Sequence, residues 1–368
     1  MLIVNATQVK KGYSGVGVYS VDVIKQLVKK IDNGIIYSSL NEFGNLPEKW
    51  HLKLTMDFNR DLIRWLWINI IFLFKLKKND VLYCTFSEAP VFFRGKLIIT
   101  VHDLMPINFP ENHSKKLRFY YRKILYRNLK NAFKIIVISE TVKKDIIKFY
   151  PDIEESKIKL IYNGYDSSIF NTFRPENEIY NFKLRYGLNN YIIYVGRISR
   201  IKNVLSLIKA FIHIKDKITH NLVIIGKDES QIMPEALEML KSGNIDSRVV
   251  FIKHLNKNEL QFALKGADLF LSASLSEGFG MPAIEAMACG VPCILSDIDA
   301  FREISGGAAA MFNPSEPAEL ADKILQLLNN ENLYNMHKAK GLEAVKNFSW
   351  EKTVSGIGTI ITHALNEN

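Results

Sequence analysis

The sequence predicts an α/β chain built as two doubly wound, parallel-sheet domains, and three observations carry that expectation. Short apolar runs suited to buried strands alternate with amphipathic helical stretches along the chain. Several of these runs end in a glycine turn that feeds a helix, as in Tyr191-Ile-Ile-Tyr-Val-Gly196. At 368 residues the chain is long for a single hydrophobic core.

Composition narrows the class. A hydrophobic content of 48% is globular. Cys84, Cys289 and Cys293 give neither an even disulfide framework nor a metal-binding spacing, so a reducing compartment is expected. Met1-Leu-Ile-Val-Asn5 reads as a first strand with no basic stretch before it, so no signal peptide is expected. Net charge is +10 and unevenly placed. Residues 1–174 hold 28 Lys and Arg against 16 Asp and Glu, a balance of +12; the remainder holds 20 against 22, or −2. The basic first half predicts an anionic partner there: lipid headgroups, a diphosphate or nucleic acid.

In chain order, the first strand (residues 2–5) leads into a loop containing Gly12, Gly15 and Gly17. A helix follows, with Val21, Ile24, Leu27 and Val28 on one face. Strand, glycine loop and helix make a phosphate cradle or simply a tight turn. Position 20 is Ser, so the dinucleotide fingerprint is incomplete, which argues against a dehydrogenase. Residues 62–76 are strongly apolar. Only ten residues separate Arg64 from Lys75, too few to span a bilayer, where about 20 are needed. A buried core helix is the preferred reading of this segment. An interfacial helix with Trp65 and Trp67 at headgroup level is the other.

Val81-Leu-Tyr-Cys-Thr and Lys96-Leu-Ile-Ile-Thr-Val101 read as buried parallel strands. The second ends at His102-Asp103. Ligands of open α/β sheets gather at strand carboxyl ends, so His102 is either a site residue or a structural one. Residues 115–134 contain eight basic residues and no acid, with Leu117, Tyr121, Ile124, Leu125 and Leu129 on one helical face. The basic face suits anionic lipid or plain solvent. Nucleic acid is disfavoured because no reading motif accompanies the charge. A strand ending in Ser139, a helix, and the turn Asn163-Gly164-Tyr-Asp166 complete this half. The polar residues 166–181, with Pro175, are the expected domain boundary.

The second half opens with the strand to Gly196, then Arg197 and Lys202, and a helix over Val204–Ile214. Two cations in such a turn suit a phosphate, or are merely solvated. After three further strands comes Ser274-Leu-Ser-Glu277-Gly278-Phe279-Gly280-Met281-Pro282-Ala-Ile-Glu285-Ala-Met-Ala-Cys289-Gly290-Val-Pro292. Pro282 suits the start of a helix, Gly290 the left-handed residue after its end, and Pro292 forbids continuation. Gly278 and Gly280 let backbone approach a ligand. The amides before Pro282 favour an anion, and Glu277 and Glu285, the latter placed in the first helical turn, accept from hydroxyls. Such a stretch suits a nucleotide sugar. Asp297-Ile-Asp299 looks like a D-x-D metal motif and is set aside as a strand end. Helices over 317–328, 333–346 and 351–365 close the chain.

The Glu277-x7-Glu285 spacing, with its Gly-Phe-Gly-Met-Pro and Ala-Cys-Gly-Val-Pro segments, resembles the retaining glycosyltransferase family 4 of GT-B fold. Gly196-Arg197, Lys202-Asn203, the Gly15 loop, His102-Asp103, Asn163-Gly164-Tyr-Asp166 and Phe348-Ser349-Trp350-Glu351 extend the likeness over nearly the whole chain. The resemblance implies two Rossmann-like domains, 1–170 on the acceptor side and 171–350 for the nucleotide sugar, with an interdomain cleft. A last helix, 351–368, would cross back to the first domain. It assigns Glu285 to the ribose and Glu277 to the transferred sugar. Arg197, Lys202 and the amides of Gly278, Phe279, Gly280 and Met281 would hold the diphosphate, with Gly196, Gly15 and Gly17 near the donor. His102 would face the reacting sugar and acceptor. Catalysis would then rest on His102, Glu277, Arg197 and Lys202, with retention of anomeric configuration and no metal or cofactor.

The segment Thr100-Val-His-Asp-Leu-Met-Pro106 and the basic, Tyr-rich helix after it look most like O-antigen and surface-polysaccharide mannosyltransferases. They imply mannose transfer from GDP-mannose to a glycan on polyprenyl diphosphate, in lipopolysaccharide biosynthesis. The enzyme would be cytoplasmic, peripheral on the inner face of the cell membrane through its basic first domain. A UDP-hexose donor is the alternative, a sugar-nucleotide 2-epimerase a further one, and a non-catalytic lipid or nucleic-acid binder the reading from outside enzymology.

Overall fold

A computed structural model describes residues 1–10, 15–56, 58, 61–229 and 231–367. Gly12 of the first loop lies outside them. The chain divides into two compact units, residues 1–164 with 348–368, and residues 165–347.

The first unit is built on seven parallel strands: β1 (Leu2–Ala6), β2 (Gly34–Ser38), β3 (Trp50–Leu54), β4 (Val81–Cys84), β5 (Lys96–Val101), β6 (Lys134–Val137) and β7 (Ile158–Leu160). They lie in the order β3-β2-β1-β4-β5-β6-β7. The central strands are buried almost throughout, because helices cover both faces of a parallel sheet. That is why they read as continuous Val, Ile and Leu runs. The helix Val16–Leu27 buries Val21, Ile24 and Leu27, the face its 3.6-residue period predicts.

The terminal helix, Trp350–Asn366, packs in this unit beside Val16–Leu27. Thr353 donates to the Tyr162 carbonyl at 2.7 Å, and the Lys96 ammonium donates to the Ala364 carbonyl at 2.9 Å. Gly164 permits the approach: a Cβ there would stand 2.0 Å from the Trp350 nitrogen.

The division between units falls after Gly164 and before Phe348, not at 170 and 350. The reason is Lys265, buried in the second unit. Its ammonium donates to the Ile169 carbonyl (3.0 Å), Asn171 Oδ1 (3.3 Å) and Gln261 Oε1 (2.9 Å), which binds the start of the expected linker to that unit.

The second unit holds β8 (Tyr191–Val195), β9 (Asn221–Ile225), β10 (Val249–Ile252), β11 (Leu269–Ser272), β12 (Cys293–Ser296) and β13 (Ala310–Phe312). Their order is β10-β9-β8-β11-β12-β13, all parallel. Helices Val204–Ile214 and Pro317–Asn329 pack together over one face, closing a core that includes Leu207, Phe211, Leu222, Leu271, Leu320 and Ile324. In each sheet the strand order reverses once, between β1 and β4 and between β8 and β11. The crevice outside such a reversal is where open α/β sheets bind ligands.

Residues 62–76 depart from the preferred core-helix reading. The helix Asp61–Trp67 continues through a π-helical turn, Ile68–Phe72, and a 3₁₀ turn, Leu73–Lys75. Ile68 and Phe72 are buried, but Leu62, Ile63, Leu66, Ile70, Ile71 and Phe74 are exposed. The segment closes the core along one stripe only.

Candidate functional site

The second unit's crevice opens where β8 and β11 diverge. After β8 the backbone continues in sheet-like pairing: the Gly196 amide donates to Ile225 and the Ile198 amide to Lys227, both at 2.9 Å. Gly226, at the end of β9, lies against this turn. A Cβ on it would stand 1.8 Å from the Gly196 carbonyl oxygen. The turn then delivers Lys202, only 9% exposed, beneath the loop that follows β11.

That loop carries Glu277. Its carboxylate meets the Lys202 ammonium at 2.6 Å, and its other oxygen accepts from the Ser274 hydroxyl at 2.7 Å. Ser274 is buried. Its carbonyl accepts from the Ser296 hydroxyl, and its hydroxyl lies 3.3 Å from that of Ser272. One hydroxyl, Ser274, thus bonds the carboxylate, and Ser272 and Ser296 brace Ser274 from the ends of β11 and β12. The buried Tyr194 phenol, which donates to the Arg197 carbonyl at 2.8 Å, has its pKa pushed well up. Burial is the main cause, and the Glu277 charge adds to it against the opposing Arg197.

Beside this pair the chain passes through Gly280 at φ 103° into the helix Met281–Ala288. A side chain at 280 would strike Phe301 at 2.8 Å and Ile304 at 2.9 Å, so only glycine fits. The helix ends at Gly290, φ 75°, where the Val291 amide donates back to Ala286. A cavity of about 60 Å³ opens among Tyr194, Gly196, Lys202, Glu277, Gly280 and Pro282. A larger open groove, about 470 Å³, runs along Leu325, Asn329 and Leu333, and its lining includes no ionisable side chain.

The expected donor residues do not all converge. Lys202, Glu277, Gly196 and Gly280 share one cavity. Gly278 and Phe279 are buried in the adjoining loop. Arg197 is half-exposed and pairs with Glu229 at 3.0 Å. Glu285 is half-buried and sits one residue further into the helix than expected. The helix begins at Met281, before Pro282, so Glu285 is its fifth residue. Burial pushes the neighbouring Cys289 thiol up to about 12, Lys265 opposing and the Glu285 carboxylate adding to it. Asp297 and Asp299 are both held by Arg302, at 2.5 and 3.3 Å, which accounts for that pair without a metal. Among the described residues, no three His, Cys, Asp or Glu side chains cluster as metal ligands would.

The first unit's crevice, between β1 and β4, is lined differently. Asn5 accepts from the Thr7 amide and hydroxyl and donates to the Glu88 carbonyl. His102, at the end of β5, is 9% exposed. Its Nε2 lies 2.8 Å from the Thr85 carbonyl, and its ring meets Tyr19 edge to face at 4.7 Å. A carbonyl only accepts, so the proton sits on Nε2 and leaves Nδ1 as an acceptor. Burial holds the His102 pKa below its ordinary value, against the raising effects of Thr85 and Asp103. Gly15 heads the helix Val16–Leu27 at φ 53°, with open space around it, and Gly17 is buried in its first turn.

Ser274 and Gly226 escaped the sequence reading. Ser274 stands three residues before Glu277, the spacing of a capping pair, and that spacing is the signal the sequence carries. Gly226 reads from sequence only as a turn.

Two family models match the chain: Glycosyltransferase Family 4 over residues 13–169 and Glycosyl transferases group 1 over residues 176–343. The chain is 31% identical over 253 residues to the O-antigen chain mannosyltransferase RfbU of Salmonella typhimurium, covering 68% of this chain and 65% of that protein. It is 25% identical over 260 residues to O-antigen chain mannosyltransferase B of Escherichia coli, covering 70% and 67%. The match thus spans just under two thirds of the first relative's length. Among solved structures, Anabaena Alr3699/HepE in complex with UDP and glucose superposes with a TM-score of 0.79 at 18% identity, covering 98% of this chain and 99% of that one. WaaG, a glycosyltransferase involved in lipopolysaccharide biosynthesis, gives 0.76 at 13%, covering 98% and 100%. At these identities the likeness concerns the fold, which is GT-B.

Proposed function

The chain belongs to the group 1 glycosyl transferases of family 4, and we propose that it transfers mannose from GDP-mannose, with retention, to a glycan carried on polyprenyl diphosphate. The observation that carries this reading is the Lys202–Glu277 pair at the β8/β11 reversal, beside the Gly280 turn. A nucleoside diphosphate needs a cation and a helix N-terminus, and the sugar it carries needs a hydrogen-bond acceptor. This crevice supplies all three.

Glu277 pairs with the Lys202 ammonium at 2.6 Å. An incoming diphosphate competes for that ammonium, and Glu277 keeps its Ser274 hydrogen bond while turning an oxygen to the sugar hydroxyls. The C1–O bond to the β-phosphate then breaks as the acceptor oxygen bonds C1 on the same face. The acceptor proton passes to the departing phosphate oxygen. Lys202 and the helix amides stabilise the charge on the leaving group without a metal, so activity should survive a chelator. His102, neutral, accepts a hydroxyl proton bond at Nδ1 and orients the acceptor or the sugar. The mannose donor is favoured by the two O-antigen mannosyltransferase relatives. The basic first unit is proposed to draw the enzyme to an anionic membrane.

Calorimetric titration with GDP and UDP tests the donor. GDP should bind at least tenfold tighter, about 1.4 kcal/mol. Preference for UDP would discard mannose and keep the site. Binding of neither by folded protein would overturn the site itself.

A further inference from the structure

Residues 62–74 are amphipathic in the wrong sense for water. Arg64 and Asn69 turn inward: Arg64, 1% exposed, makes two bonds to the Glu88 carboxylate at 2.7 and 2.9 Å, and the Asn69 side chain accepts from the Val91 amide at 2.9 Å. Ile68 and Phe72 are buried with them, and six apolar side chains face out. Leu62, Ile63, Leu66, Ile70 and Ile71 are 42–61% exposed, and Phe74 is 87% exposed. A helix on a water-facing surface shows the opposite arrangement, and contiguous apolar ridges mark a docking surface.

What lies beside the ridge identifies the partner. The loop after β4 is gripped from two sides. Arg64 and Asn69 hold it from the ridge. From the basic helical stretch, Tyr120 donates to the Ser87 carbonyl at 2.7 Å and Asn128 to the Ala89 carbonyl at 3.0 Å. Arg127 lies 4.8 Å over the ring of Phe92, which is itself exposed. The ridge and the bases are therefore neighbours across one short loop. Lys115, Lys116, Arg122, Lys123, Arg127 and Lys130 are exposed there, and Lys75, Lys77 and Lys78 end the ridge itself. No acid occurs between residues 62 and 79. A second copy of this chain would set these bases against each other. An anionic bilayer matches both the charge and the greasy ridge.

We propose that residues 62–74 insert their apolar ridge into the acyl boundary of an anionic membrane, with the basic helix laid on the headgroups beside it. No helix among the described residues is long and apolar enough to cross a membrane, so the contact lies in the interface. The choice of a bilayer rests on the lipid-linked acceptor proposed above; the surface rests on these side chains. Trp67 does not anchor it, since its ring stacks on Phe72 and packs near Tyr37 and Phe58.

Sedimentation with phosphatidylglycerol/phosphatidylethanolamine vesicles, at low and high salt, tests the insertion. Wild-type protein should pellet and stay partly bound at high salt, because apolar burial is not screened. A Leu66→Ser, Ile70→Ser, Ile71→Ser variant should lose about tenfold or more in partitioning, with an unchanged circular-dichroism spectrum and urea midpoint as the check on its fold. Ile70→Cys carrying an environment-sensitive dye should shift to the blue on adding vesicles; the native cysteines are buried and will not compete. Wild-type protein that stays in the supernatant, a serine variant that pellets undiminished, or an unshifted dye overturns the insertion. The assay contains no nucleotide sugar, so a wrong donor assignment leaves its result unchanged.

Discussion

The two sheets open their crevices at the same topological place, beside the first strand of each unit, and line them with different chemistry. After β1, β4 and β5 stand Asn5, Thr7, Thr85 and a neutral His102. After β8 and β11 stands the ion pair Lys202–Glu277. The topology decides where a ligand lies, because only there do two loops splay apart. The side chains decide what it is. Neutral hydrogen-bonding groups suit sugar hydroxyls; a buried cation beside a helix N-terminus suits a diphosphate. Chemistry that joins an alcohol to a phosphorylated sugar needs both.

The largest effect should come from dividing the ion pair. Lys202→Ala removes the cation and leaves Glu277 with Ser274 alone. Glu277→Ala removes the carboxylate proposed to hold the sugar and leaves the lysine without this partner. Both should cut transfer by about 10²–10³-fold, the range for losing one preorganised charge-stabilising group. They should part in calorimetry: Lys202→Ala weakens GDP binding, while Glu277→Ala leaves it equal or tighter. Equal weakening in both variants would mean the pair acts as one structural unit, and the contrast between the crevices would fail.

His102→Ala should cost less, about tenfold to a hundredfold in transfer, with GDP affinity unchanged. A change in GDP affinity would break the division of labour. The same residue gives a stability test with a definite sign. Its folded pKa lies below the ordinary value of 6.5. Below about pH 6.5 the unfolded chain therefore binds more protons than the folded one, and stability falls as pH drops. Above that pH the contribution is complete. Urea midpoints should decline toward acid in wild-type protein, and less steeply in His102→Gln.

The loop glycines sharpen the comparison through stability. Gly280→Ala combines a left-handed backbone with contacts under 3 Å to Phe301 and Ile304, so it should destabilise by about 1–3 kcal/mol. Gly15→Ala meets no described atom within 4 Å and bears only the cost of its positive φ, about 1–2 kcal/mol. Denaturation midpoints that rank the two the other way would contradict the packing of the second loop.

Much of this was legible in the sequence. The helix Val204–Ile214 has the bounds its pattern predicts, and Gly280, Pro282 and Gly290 punctuate the Glu277 loop as their backbone preferences require. What was not legible depends on contacts distant in sequence. The unit boundary moved because Lys265 reaches back 96 residues to Ile169. Residues 62–76 read as core because apolar content does not say which stripe is covered; the buried Arg64–Glu88 pair decides it. Ser274 went unread because its partner is a side chain and not a helix amide.

Arg197 is where the two kinds of information meet, and it gives the smallest expected effect. The Gly196-Arg197 pattern nominates it for the diphosphate, yet its guanidinium is half-exposed and paired with Glu229 at 3.0 Å. Reaching a phosphate would require exchanging that carboxylate for another anion, a trade of one solvent-screened pair for another. Exposed pairs of this kind contribute about 0–1 kcal/mol. Arg197→Ala should therefore weaken GDP binding by only a fewfold, and the loss should shrink as salt rises. Glu229→Ala should strengthen binding by a similar factor, because it frees the arginine. A hundredfold loss in Arg197→Ala would mean that ligand binding pulls the guanidinium out of this pair into the crevice, making the loop after β8 a moving part and not a fixed wall.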